Sequence, residues 1–151
     1  MKIAAFYLTP KEEVVWLHED STIRQALEKM EYHRYTALPL VNKAGKYAGT
    51  LTEGDLLWTF KRNPELKFKD LYKMRLKDIP KQQWNEPISI NSPIEELIPL
   101  AVNQNFIPVV DDQQNFIGII KRSTIIDYLY RRLTSAQTVE KTSLQVAPYE
   151  L

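Results

Sequence analysis

The sequence predicts a mixed α/β (α+β) fold made of two copies of a β-α-β-β-α unit. Two observations carry this. Short apolar runs and one helical stripe follow one another in that order, and the second half of the chain repeats the first. Sliding by 71 residues pairs Leu17 with Ile88, Ser21 with Ser92, Ile23 with Ile94, Ala26 with Leu97 and Leu27 with Ile98. A two-residue deletion then changes the offset to 69, which pairs Pro39 with Pro108, Val41 with Val110, Tyr47 with Phe116 and Gly49 with Gly118. Apolar patterning alone accounts for the aliphatic pairs. It does not account for proline, aromatic and glycine at one spacing on both sides of turns of equal length.

The first unit covers residues 1–62. Ile3 to Leu8, stopped by Thr9-Pro10, predicts a short extended segment, and Val14 to Leu17 a buried strand. Asp20-Ser21 offers a helix cap. Ile23, Ala26, Leu27 and Met30 fall at i, i+3, i+4 and i+7, so a helix over about residues 22–32 buries one stripe and leaves Arg24, Glu28 and Lys29 in water. Ala37 to Val41 is a continuous apolar strand, Asn42 to Lys46 a turn with Gly45, and Tyr47 to Leu51 the returning strand of a hairpin. A helix bearing Leu56, Leu57, Trp58 and Phe60 completes the unit.

Asn63-Pro64-Glu65 predicts the start of a connector helix over residues 63–78. Residues 61–81 hold eight basic and three acidic side chains, but the charges are not confined to one face, so a solvated connector is expected there. In the second unit, residues 79–133, Ser92-Pro93-Ile94-Glu95 predicts a capping box with proline at the first helical position. Pro99 inside that helix removes a hydrogen bond and predicts a bent or shortened element. Residues 134–151 are polar and aperiodic and predict a flexible tail or a partner-dependent arm.

Composition narrows the function. The 151 residues, 44% apolar, suffice for one domain or two small units sharing a core. Twenty Lys plus Arg against nineteen Asp plus Glu leave a net charge of +1, so no global field points to nucleic acid or an anionic membrane, and any anion must be held locally. Without cysteine there is no disulfide, thiolate nucleophile or Cys-ligated metal, and His18 and His33 are too few for most metal sites. No apolar run approaches the roughly 18 residues of a membrane span, so the expected address is the cytoplasm.

The stretch Gly49-Thr50-Leu51-Thr52-Glu53-Gly54-Asp55 sits where an apolar strand meets an apolar helix. A first helical turn leaves backbone N–H groups unpaired at the positive end of the helix dipole, so a phosphate fits there. Thr52 and Asp55 equally read as a capping box that needs no ligand. The residues alone leave both possibilities open.

With the β-α-β-β-α order occurring twice, and with Leu38-Pro39-Leu40-Val41, Tyr47, Gly49 and Thr52-x-x-Asp55 in place, the chain resembles a tandem pair of CBS domains, a Bateman module of the small stand-alone type. The resemblance covers roughly residues 12–132. It implies two repeats packed about a pseudo-two-fold axis, clefts between them that bind adenosine-containing ligands, and a homodimer. It also implies roles for residues: Asp55 accepting from ribose hydroxyls, Thr52 donating to phosphate, and Thr36, Ala37, Leu38 and Pro39 lining adenine with help from Leu17. Repeat two departs from the pattern, with Lys121 in place of the threonine and Thr124 in place of the aspartate. A neutral hydroxyl does not match a carboxylate as a double acceptor, whereas Lys121 and Arg122 either suit the phosphate of a ligand anchored by repeat one or are two solvated surface cations.

The expected function is therefore a non-catalytic regulatory sensor. Its ligand would be an adenosine nucleotide of the AMP, ADP, ATP or cyclic di-AMP class, with no cofactor required. Its partners would be a second copy of the chain and an effector protein of unknown identity. An interaction scaffold with a vestigial site is the alternative. An enzyme is the weakest reading, because no catalytic constellation stands out.

Overall fold

The computed structural model describes residues 3–82 and 84–143, with side chains described through residue 136. Each half of the chain closes a small sheet on its own helices. In the first, β2 (Leu17–His18), β3 (Ala37–Val41) and β4 (Tyr47–Thr52) form a sheet in the order β2-β3-β4, with α1 (Ile23–His33) before β3 and α2 (Glu53–Arg62) after β4. The predicted stripe is what buries: Ile23, Ala26 and Met30 pack with Leu38, Leu40, Leu51 and Leu56. Thr22 rather than Asp20 or Ser21 caps α1, in a reciprocal capping box with Gln25.

The second half contributes β5 (Ile88–Ser89), β6 (Phe106–Val110) and β7 (Phe116–Lys121), with α3 (Leu97–Ala101) and α4 (Arg122–Ser143). The repetition extends to register. Ala37 pairs with Thr52 as Phe106 pairs with Lys121, and both hairpins carry an irregularity at the same place, Leu40/Val41 and Val109/Val110. A third cluster, Val41, Phe106, Phe116 and Ile119 with Val14, Trp16, Ala37 and Tyr47 against it, joins the two sheets.

The segments that lead into the repeats are exchanged. β1 (Thr9–Pro10) precedes the first repeat yet pairs antiparallel with β7, giving a second sheet of order β1-β7-β6-β5. Ala4 and Ala5 donate to the carbonyls of Ser92 and Ile90 at 2.8 and 3.1 Å. In the mirrored arrangement, Leu76 and Lys77 each donate at 2.8 Å, to the carbonyls of Ser21 and Glu19. Ala4 thus lies in the second core, while Leu71, Leu76 and Ile79 lie in the first.

That exchange explains several departures from the sequence expectations. The connector over 63–78 is not one helix but two 3₁₀ segments, Phe68–Lys73 and Leu76–Asp78, because Arg75 must be extended to bridge Thr22 and the apolar side chains on either side must enter the first core. Ala4–Tyr7 is a 3₁₀ turn rather than an extended run, and the strand expected from Val14 shrinks to Leu17–His18. No side-chain cap forms at Ser92-Pro93; the helix opens as a 3₁₀ turn, Ile94–Glu96, and Ser92 instead offers its carbonyl to Ala4. Pro99, which has no N–H to donate, sits in an α-helix only five residues long. Past Leu133 the chain stays helical to Ser143, since a stretch without Gly or Pro adds one bond per residue to a helix already started. The remainder of the predicted tail, residues 144–151, lies outside the described residues.

Candidate functional site

A cleft of about 400 Å³ opens between the repeats. Ala37, Leu38 and Pro39 of β3, Val14 and Val15 of the lead-in, and Phe106 and Ile119 of the second sheet make it largely apolar. Thr9, Glu13, Tyr35, Asn105, Lys121, Arg122 and Ser123 supply its polar groups. The volume falls in the range of about 300–1,000 Å³ usual for small-molecule sites, and a mostly apolar wall with a few polar groups is their usual chemistry.

The polar end is the start of α4. Its first N–H, from Arg122, is taken by the Asn105 carbonyl at 3.0 Å. Lys121, which precedes it, carries only donors and cannot cap the turn. The N-terminal donors of a 22-residue helix therefore stand beside two cations, where helix dipole and side-chain charge have the same sign. The Arg122 side chain is held in place, its Nε donating to the carbonyls of Ala101 and Gln104 at 2.8 and 3.0 Å.

The corresponding turn in repeat one is built differently. Thr52 Oγ1 accepts from the Asp55 N–H at 3.1 Å, and Asp55 Oδ2 accepts from the Thr52 N–H at 2.9 Å, completing the capping box. Asp55 Oδ1 accepts a further bond, from the Gln82 N–H at 3.0 Å, and the residue is 2% exposed. Nearby, the Tyr47 hydroxyl is pushed up to about 12 by burial, opposed by bonds to Thr50 and the Asn85 backbone. Burial likewise lowers the Lys81 ammonium, with the Asp55 charge acting against it.

The expected site residues thus separate. Ala37, Leu38, Pro39, Lys121 and Arg122 meet in the cleft. Thr52 and Asp55 do not line it; they form the capping box, and the Gln82 N–H of the second lead-in takes the remaining carboxylate oxygen. Leu17 is in the first core, Thr36 faces a depression beside α1 and α2, and Thr124 faces another beside Tyr7 and α4. Glu13, Tyr35, Asn105, Val14 and Val15 went unforeseen, because they reach the cleft through the exchanged lead-in and through the loops before β3 and β6. Ser123 had a visible signal, its place next to Lys121-Arg122.

The family model for the CBS domain matches residues 6–61 and 85–131. The chain belongs to the CBS-domain family. The matched segments leave out the whole connector, which in this CBS pair packs on repeat one. Among curated relatives, a CBS domain-containing protein of Dictyostelium discoideum is 28% identical over 139 residues, covering 88% of this chain and 95% of that protein. A homoserine O-acetyltransferase of Methanocorpusculum labreanum is 27% identical over 109 residues, 72% of this chain but only 21% of the enzyme. Among solved structures, CbpB in complex with c-di-AMP superposes with a TM-score of 0.77 at 21% identity, covering 91% of this chain and 90% of that one. CBSX2 in complex with AMP gives 0.68 at 19% identity, covering 87% and 98%. At those identities the structures bear on the CBS fold alone. Among the described residues no helix is long and apolar enough to cross a membrane, and no group of three or more His, Asp or Glu is placed to hold a metal.

Proposed function

We propose that this CBS pair is a non-catalytic cytoplasmic sensor that binds an adenosine nucleotide, of the AMP, ADP, ATP or cyclic di-AMP class, in the cleft between its repeats. The observation that carries the reading is the juxtaposition in one cleft of an apolar slot at Ala37, Leu38 and Pro39 with Lys121, Arg122 and the start of α4. The slot suits a base and the basic end suits phosphate. Proteins of the same fold crystallised with c-di-AMP and with AMP support the ligand class. Both repeats supply walls, so a bound nucleotide bridges them and biases their packing, which an effector protein can read.

A homodimer belongs to the same proposal. Leu57 and Trp58 on α2 and Ile126, Tyr130 and Leu133 on α4 are exposed apolar side chains on the last helix of each repeat, suited to an isologous contact. The same exposed faces favour the alternative of an interaction scaffold.

Thermal unfolding with a nucleotide panel separates the two. Ligand at a hundred times its dissociation constant adds about 2.7 kcal/mol, a rise of roughly 5–10 °C for a chain of this size. Adenosine nucleotides should produce it and pyrimidine nucleotides should not. A flat response across the panel favours the scaffold, turnover of a bound nucleotide defeats the non-catalytic reading, and a monomeric mass by light scattering defeats the dimer.

A further inference from the structure

The pseudo-two-fold relation calls for a second cleft against β6, yet the chain's own residues lie there. The Phe106 carbonyl holds the register position that Ala37 holds in the open cleft, and it accepts from the Asn85 side-chain amide at 3.1 Å. Gln104 grips the Glu86 backbone from both sides, accepting from its N–H at 2.9 Å and donating to its carbonyl at 3.2 Å. Asn85 and Gln104 are 1% and 7% exposed, so these side chains are in the interior and bonded there to backbone. The Trp84 ring lies over Gly49 and 4.8 Å from the Tyr47 ring, and the Gln82 N–H reaches Asp55. An amide donor on a strand carbonyl, an aromatic plane over a glycine and a donor on a buried carboxylate are what an amino-bearing base and a sugar hydroxyl would otherwise present.

We infer that the buried Asn85, with the backbone of Gln82 and Glu86 on either side of it and the exposed Trp84 ring at the rim, is a built-in occupant of this second cleft. The module then takes one adenosine nucleotide per chain, and Asp55 serves the occupant instead of a ligand. The nucleotide class rests on the function proposed above; the occupant itself does not.

Calorimetric titration with ATP and amide hydrogen exchange test the two parts separately. Wild type should bind one ATP per chain, and the Gln82 and Glu86 amides should exchange slowly without ligand and change less than twofold at saturation. Asp55→Ala should speed exchange at Gln82 at least tenfold while ATP affinity in the open cleft stays within twofold. The double variant Trp84→Ala, Asn85→Ala should take up a second ATP per chain; a folded double variant that still binds one overturns the idea that these residues block a site. If that variant does not fold, the wild-type readouts decide: two ATP per chain, or ATP-driven acceleration of exchange at Gln82 and Glu86, overturns the inference. Rapid ligand-free exchange at those amides overturns the occupant whether or not ATP binds, whereas slow exchange with no ATP binding keeps the occupant and defeats the ligand class.

Discussion

Asp55→Ala removes one side chain that does two jobs, and the structure sets the size of the loss. The carboxylate accepts the Thr52 N–H at 2.9 Å and the Gln82 N–H at 3.0 Å from a position 2% exposed. Losing a helix cap costs about 0.5–2 kcal/mol, and losing the bond from the Gln82 N–H to a charged acceptor about 1.5–3 kcal/mol. The two share the Asp55 carboxylate and do not simply add, so a loss of about 2–4 kcal/mol is expected. For a chain of this size that is a fall in Tm of roughly 5–15 °C. Asp55→Asn keeps one acceptor oxygen and should lose about half as much. Urea midpoints and calorimetric scans of wild type and both variants measure this, beside nucleotide titrations of the same samples. An unchanged melting temperature together with a tenfold or larger loss of nucleotide affinity would refute the reasoning and return Asp55 to the ligand.

Lys121→Ala should weaken ATP binding about three- to tenfold, and the difference should shrink as salt rises, because an exposed cation acts through a screened field; calorimetry at low and high salt checks both. The Tyr47 hydroxyl titrates near 12 in the fold against 10.0 ordinarily, so the unfolded chain loses its proton first as pH rises. Its stabilisation is complete below pH 10.0 and is lost toward pH 12, by up to about 2–3 kcal/mol. Tyr47→Phe should flatten that alkaline decline in urea midpoints. Gly118→Ala should destabilise more than Gly49→Ala in thermal scans: both glycines have positive φ, but a Cβ at Gly118 would overlap the Thr9 carbonyl, whereas one at Gly49 meets the Trp84 ring at an ordinary 3.6 Å. Leu76→Ala should cost about 2–5 kcal/mol although it lies in the connector, since Leu76 is fully buried in the first core.

Sequence reading recovered what depends on local pattern. The α1 stripe, the first hairpin with its Asn42–Lys46 turn, and the repeat that carries a like hairpin into the second half follow from periodicity and turn chemistry, which neighbours in the chain determine. It failed where a distant segment decides. Residues 63–78 have helix-forming composition, but the pull of Leu71, Leu76 and Ile79 into a core and the bridge from Arg75 to Thr22 outweigh propensity. The site divides the same way. Ala37, Leu38, Pro39, Lys121 and Arg122 are reached from motif positions, whereas nothing beside Asp55 in the sequence reveals that Gln82 would claim its second oxygen.

The crossing of the lead-in segments has a bearing on how this chain can be made and divided. Thr9 cannot find Ile119 until most of the polypeptide has left the ribosome, and repeat one cannot bury Leu76 and Ile79 until the stretch after it has been made. Pairings this distant in sequence slow folding, because loop closure precedes any reward from contact. A gene cut between the repeats would leave the first fragment holding Ala4 without its core and the second lacking a strand of its sheet. What folds, and what natural or laboratory recombination must move as one piece, is the crossed pair.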